Sequence, residues 1–90
     1  MRDYSKLNYS DMQISDAIDR VIVGKNADRN RIILRLALLH GFTYEQIDEW
    51  LSKNDALPER YKIKVRQIAR VVSSGERKVY EHLHNNRYGR

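Results

Sequence analysis

The chain has no cysteine, a single proline and four glycines among its 90 residues. Without cysteine, neither disulfides nor thiolate metal sites can stabilise the fold, which is typical of a reducing, cytoplasmic setting. Few glycines and prolines leave few helix breaks, and no segment alternates as an exposed strand does. The longest apolar run, Leu36–Leu39, is far too short to cross a bilayer, and the N-terminal segment lacks the apolar core of a signal peptide. We therefore expect an all-helical cytoplasmic protein without a membrane partner.

Charge is distributed unevenly along the sequence. Residues 1–57 contain eight Lys or Arg and nine Asp or Glu, whereas residues 58–90 contain nine and three. The C-terminal third therefore carries a net charge of +6, against −1 for the rest of the chain. Such asymmetry indicates contact with a polyanion. From charge alone, a solvated basic helix and tail that aid solubility explain it equally well.

Two helices are predicted within the first forty residues, because apolar side chains recur there at helical spacing. Ser10 is the expected N-cap of the first helix, over 11–23, and Gly24 fits its C-terminal stop. Asn26 is the expected N-cap of the second helix, over 27–40.

A third helix is predicted to begin at Thr43, after a left-handed stop at Gly41. Gln46 lies three residues after Thr43, which is the spacing of a reciprocal capping box. The helix is expected to end by Asn54. Its buried face is predicted to comprise Ile47, Trp50 and Leu51.

The last helix is predicted from one apolar stripe with steps of three and four residues between Tyr61 and Leu83. The stripe predicts a helix that begins at about Pro58, carries Tyr61 inward and continues through Gly75, where glycine would permit close packing. A break at 73–76 is the alternative, because Ser73 and Glu76 also match a capping box.

Residues 10–84 are thus predicted to form a single all-α domain, a compact bundle of four helices, or of five if the break exists. Residues 1–9 are expected to be flexible, and residues 85–90 to form a basic C-terminal tail. A chain this short buries a modest fraction of its surface, which leaves both a monomer and a homodimer open.

The third and last helices have the composition of a helix-turn-helix, in which one helix braces a second that lies in the major groove. The reading helix needs polar and cationic side chains opposite its buried stripe. Arginine can recognise guanine and glutamine adenine, whereas Lys62, Lys64 and Arg77 suit phosphates better. The candidate DNA-binding residues of this region are Arg60, Lys62, Lys64, Arg66, Gln67, Arg70 and Arg77.

Two blocks of the sequence carry a family resemblance. "DRNRIILRLALLHGFTYEQI" (28–47) resembles an arginine-rich helix followed by G-x-T-[YF]-E-x-[IL]. "VRQIARVVSSGERKVYEHL" (65–83) resembles V-R-Q-[IV]-x-R-[IV]-V followed by G-E-x-K-[VIL]-[YF]-x-H-[LI]. The chain therefore resembles region 4 of bacterial sigma factors, and more closely the small sigma-like regulators of phages and mobile elements of Gram-positive bacteria. The resemblance implies a helix-turn-helix transcription regulator, associated with the bacterial nucleoid, whose Thr43 and Glu45 contact double-stranded DNA.

The segment 52–63 departs from that family pattern, in which the reading helix follows after a short turn. The departure leaves two functions open. The first is sequence-specific recognition of double-stranded DNA. The second is a protein-interaction module that binds RNA polymerase, another regulator or a host-defence protein. Neither needs a cofactor, and since no nucleophile–base set or metal-ligand cluster is evident, we expect no enzymatic activity.

Overall fold

The computed structural model describes the backbone of residues 9–88 and the side chains of residues 9–85. This part of the chain forms four α-helices and one 3₁₀-helix, and contains no strand. The helices are α1 (Asp11–Val21), α2 (Ala27–Leu38), α3 (Tyr44–Lys53) and α4 (Val65–Tyr88), with the 3₁₀-helix at Glu59–Tyr61. The predicted all-α bundle of four helices is confirmed. Within the described range, no helix is long and apolar enough to span a membrane.

The predicted N-caps Ser10 and Thr43 are confirmed, and the structure forms a capping box at each, although a box was predicted only at Thr43. The Ser10 hydroxyl accepts a hydrogen bond from the backbone N–H of Gln13 at 3.1 Å, and the Gln13 amide oxygen accepts from the N–H of Ser10 at 2.9 Å. Thr43 and Gln46 form the same reciprocal pair. Each box satisfies two N–H groups that would otherwise lack a partner at the helix start.

Asn26 is the N-cap residue of α2, as predicted, but its side chain makes no capping hydrogen bond. Its ψ of 24° differs from the extended backbone of a side-chain cap, and the N–H of Ala27 instead donates to the carbonyl of Gly24. Gly24 and Gly41 have φ values of +103° and +69°, as left-handed stops require. The first two helices end earlier than predicted, at Val21 and Leu38.

The core consists of two clusters that share α2 and α4. In one, Ile14 and Ile18 of α1 pack with Leu34 and Val79, and Tyr9 packs at the margin of this cluster. In the other, residues of α2, α3 and the 54–64 segment pack against the first half of α4. Its buried members are Ile33, Leu36, Ile47, Leu51, Ile63, Ile68 and Val72. The long α4 therefore contacts each of the other three helices.

The segment before α4 differs from the predicted helical extension. Pro58 precedes a single 3₁₀ turn, and α4 begins only at Val65. Tyr61 is buried as predicted, at 6% exposure, and Ile63 is buried beside the second cluster. The backbone leaves helical geometry at Lys62, whose ψ is 68°. Tyr61 is therefore buried as the apolar stripe predicts, although the backbone between Tyr61 and Val65 is not an α-helix.

The helix α4 runs without a break through Ser73 and Gly75, as predicted. Gly75 is buried against Leu34 of α2, and a Cβ built on Gly75 would lie 2.9 Å from Leu34 Cδ2 and 3.1 Å from Leu34 Cγ. The predicted role of Gly75 in close packing is therefore confirmed. At its far end α4 continues to Tyr88, so the first residues of the predicted tail are helical. The predicted flexible segment lies, apart from Tyr9, outside the described residues.

Candidate nucleic-acid interface

A row of cations lies on the exposed face of α4. Arg66, Arg70 and Arg77 are separated by four and seven residues, which places them on the same side of a helix. All three side chains are exposed, and none has an ion-pair partner among the described residues. At 1.5 Å per residue the row is about 16 Å long. The three guanidinium groups therefore give this face of α4 a row of positive charges without ion pairs among the described residues.

The first turn of α4 presents Arg66 and Gln67, both exposed. Because α4 begins at Val65, these residues occupy the N-terminal end of the helix, where a helix-turn-helix contacts base edges. The amide oxygen of Gln67 accepts a long hydrogen bond, 3.4 Å, from the backbone N–H of Lys64. Gln67 would have to release this bond to pair bidentately with adenine.

The three cations before α4 do not form the predicted extension. The Arg60 guanidinium lies over the ring of Tyr61, 4.9 Å from its centroid. The Lys62 side chain is only 19% exposed, and its Nζ lies 3.7 Å from a carboxylate oxygen of Glu59. Lys64 is exposed immediately before the first turn. Of these three residues, Lys64 adjoins the cationic row of α4, while Lys62 faces its own acidic partner.

The two candidates at the start of α3 have different roles in the fold. The hydroxyl oxygen of Thr43 accepts the capping hydrogen bond from the backbone N–H of Gln46, and the O–H group can still donate to a phosphate. Glu45 is exposed in the first turn of α3, where a carboxylate is favourable to the helix dipole. A carboxylate repels phosphates, so Glu45 could contact DNA only through a base donor such as cytosine N4.

The arginines of α2 are directed mainly towards the protein itself. Arg31 donates to the carbonyl oxygens of Ile22 and Asp19. Arg35 donates to the carbonyl and hydroxyl of Ser15, and to the Asp19 carboxylate at 2.8 Å. These bonds tie α2 to α1.

The third arginine of α2 lies near the 3₁₀-helix. Burial, and secondly the positive charge of Arg60, lower the pKa of Arg29. Arg29 donates from Nε to the side-chain oxygen of Asn30 at 2.9 Å.

A recess between α2 and α4, with a volume of about 240 Å³, was not predicted from the sequence. Its polar lining comprises Asn30, Arg70, Ser74 and Lys78. Apolar residues, among them Val23 and Val71, line the rest, and no carboxylate takes part. Asn30 and Ser74 are far apart in sequence, so only the packing of α2 on α4 brings them together.

The prediction that Trp50 is buried is wrong, since its side chain is 36% exposed. Ile47 and Leu51 alone fill the core from α3. Trp50 and Phe42 instead line a groove of about 550 Å³ on the outer side of α3. Glu49, Lys53 and Asp55 border it. Lys53 donates a hydrogen bond to Glu49 at 2.8 Å, which lowers the pKa of that carboxyl.

Comparison with known proteins gives no family assignment. No protein-family model, curated protein or solved structure matches the chain. The resemblance to region 4 of bacterial sigma factors therefore stays a prediction.

Proposed function

We propose that the protein binds double-stranded DNA through the exposed face of α4 and acts, without catalysis, as a sequence-specific regulator of transcription. The observation that carries this proposal is the row Arg66, Arg70 and Arg77, which projects from one helix face with no acidic partner among the described residues. A row of this kind supplies the electrostatic contribution that dominates protein–DNA affinity.

The start of α4 at Val65 supports the reading role of that helix. A helix that began at Pro58 would carry almost two extra turns ahead of Arg66, and these turns would meet the DNA backbone first. With the observed start, Arg66 and Gln67 are in the first turn. The helix α3 braces α4 from behind through Ile47 and Leu51, which pack with Ile68. In a helix-turn-helix, likewise, one helix supports a second helix that lies in the major groove. Here a segment with a 3₁₀ turn stands between them in place of a short turn.

The primary experiment measures binding of a labelled random-sequence duplex by fluorescence anisotropy across a series of salt concentrations. Lys64, Arg66, Arg70, Arg77 and Lys78 offer about five phosphate or base contacts, so the logarithm of the association constant should fall with log salt with a slope of up to about −4.5. Arg66→Ala should weaken binding. Arg20→Ala removes the same charge from the exposed side of α1 and should leave affinity unchanged. If the wild type fails to bind any duplex at low salt, the proposal is wrong.

A second experiment separates base recognition from phosphate contact. Sites selected from a random duplex library should lose about 1–3 kcal/mol of binding free energy with Arg66→Ala or Gln67→Ala, and the sequence preference should relax. Arg77→Ala should weaken selected and random duplexes equally. Equal losses on both duplexes for all three variants would show that α4 does not read bases.

The groove on α3 favours a second candidate function, recognition of a protein partner. The charged residues that line this groove are two carboxylates, Glu49 and Asp55, and one cation, Lys53. Because Trp50 and Phe42 also line it, the groove fits a partner segment in which a large apolar side chain is flanked by lysine or arginine.

Two variants distinguish the candidates. Trp50 is the only tryptophan in the chain, so its emission reports directly on occupancy of the groove. A protein partner that binds there should shift this emission, be lost with Trp50→Ala and be retained with Arg66→Ala. DNA binding should be retained with Trp50→Ala and weakened with Arg66→Ala. A captured protein that is indifferent to Trp50→Ala would count against the second candidate.

A further inference from the structure

We propose that the recess between α2 and α4 is a binding site for one sugar–phosphate unit of the DNA backbone, with Asn30 and Lys78 as its main ligands. The inference rests on the proposed DNA binding and extends it to a second helix. It assigns a role to α2, whereas the base-reading residues and the cationic row proposed above all lie on α4.

The donors around the recess suit an anion. Arg70 and Lys78 supply two positive charges from α4, two turns apart, and Ser74 lies between them with a hydroxyl. No carboxylate lines the recess to neutralise these charges. A phosphate oxygen that entered would find charge-assisted donors of the kind that bind phosphate most strongly.

Asn30 completes the donor set from the opposite wall. Its side-chain oxygen already accepts a hydrogen bond from Arg29 Nε at 2.9 Å. This bond fixes the orientation of the amide and leaves its NH₂ group as the donor to a ligand. An asparagine held in this way keeps two N–H bonds that can donate to a phosphate oxygen.

The apolar part of the recess favours a sugar–phosphate over a free anion, because a free anion has no apolar surface to pack there. Val23 has 69% of its surface exposed, a large fraction for a valine that lines a recess. Val71 is half-buried on the α4 wall. The carbon-bound hydrogens of a deoxyribose could pack against these side chains while the attached phosphate meets Lys78 and Asn30.

The length of α4 places the recess at the right distance from the reading residues. Arg66 and Lys78 are twelve residues apart, or about 18 Å along the helix axis. A reading helix contacts base edges through its N-terminal residues, and Lys78 lies about three turns further along α4 than Arg66. The part of α4 near Lys78 would therefore meet a backbone strand at the edge of the groove, where the recess opens.

The test compares two chemically identical substitutions in the full chain. Asn30→Asp places a carboxylate in the recess and removes the NH₂ donor, while its remaining oxygen can still accept from Arg29. Asn26→Asp makes the same change at an exposed position outside the recess, where its side chain makes no capping bond. Random-sequence duplex serves as the probe, with thermal unfolding by circular dichroism as the control for folding.

We expect Asn30→Asp to weaken duplex binding by about tenfold or more, and Asn26→Asp by much less. Lys78→Ala should lower the magnitude of the log–log salt slope by about 0.9, the value for one lost phosphate contact, whereas Lys25→Ala should not. Equal effects of the two aspartate variants, or an unchanged slope with Lys78→Ala, would overturn the assignment while leaving wild-type DNA binding intact. Absence of wild-type binding would instead contradict the proposed function itself.

Discussion

Gly75 offers a test of the packing that positions α2 against α4, because two opposing effects can be weighed there. Replacing a glycine inside a helix with alanine ordinarily stabilises a protein by about 1 kcal/mol. At Gly75, however, the new methyl group would approach three atoms of Leu34, including Cγ at 3.1 Å. Leu34 is fully buried, and Cγ is the branch point of its side chain rather than a flexible end. The contact can be relieved only by moving α2 or by changing the rotamer of Leu34.

Overpacking of this kind typically costs about 1–3 kcal/mol. Since the helix-forming gain offsets about 1 kcal/mol, we expect Gly75→Ala to lower the free energy of unfolding by about 1 kcal/mol. For a chain of this size, that corresponds to a decrease in Tm of about 4–8 °C, measured by circular dichroism. Ser74→Ala, at the exposed neighbouring position, should raise stability by up to about 0.5 kcal/mol.

A double-mutant cycle locates the cause of the effect. In a Leu34→Ala background the three contacting atoms are absent, so Gly75→Ala should become stabilising. A rise in Tm for Gly75→Ala in the wild-type chain would refute the reasoning, because it would show that α2 and α4 are not in close contact at this point.

Three further predictions concern other parts of the molecule. Thr43→Ala should lower the free energy of unfolding by about 1 kcal/mol through loss of the capping oxygen, while Thr43→Ser should remain near the wild type in urea denaturation. Arg35→Ala should cost about 1.5–3 kcal/mol, because it removes the bonds to Ser15 and Asp19, yet leave the salt slope of DNA binding unchanged in anisotropy titrations. Burial raises the pKa of Glu76, so the folded state binds its proton more tightly than the unfolded state and stability falls as pH rises through both pKa values. Glu76→Gln should therefore raise Tm at neutral pH, with a difference that vanishes below about pH 4, whereas Glu81→Gln at an exposed position of α4 should not.

Local features of the fold could be predicted because their determinants lie within a few residues of one another. The capping boxes need only a hydroxyl and a glutamine three residues apart, as at Ser10 and Thr43. The left-handed stops need a glycine after an apolar run. The side-chain capping bond expected at Asn26 and the burial expected of Trp50 were wrong, because both outcomes depend on more than spacing. The backbone at Asn26 is not extended, and among the described residues no element buries Trp50, which is 36% exposed.

The start of α4 shows how periodicity can mislead. Tyr61 is four residues before Val65 and is buried, as the stripe predicts. A 3₁₀ turn followed by three irregular residues brings the Tyr61 ring to the same core that a helical turn would have reached. Burial periodicity reports which side chains face inward, but not which backbone conformation carries them. The proline at 58 is compatible with either solution, since it is tolerated in the first turn of the predicted helix and immediately before the observed 3₁₀ turn.

The arginines of the chain show why sequence alone could not delimit the interface. Arg31 and Arg35 stand in the block that resembles an arginine-rich helix, and by composition they are as cationic as Arg66 and Arg70. Hydrogen bonds to α1, twelve to twenty residues away in sequence, make the first pair structural. Arg66 and Arg70 form no ion pair among the described residues, and so remain available to a polyanion. Whether an arginine serves the fold or a polyanion is decided by where the nearest acceptors lie after folding, and here the acceptors of α1 leave α4 as the cationic surface.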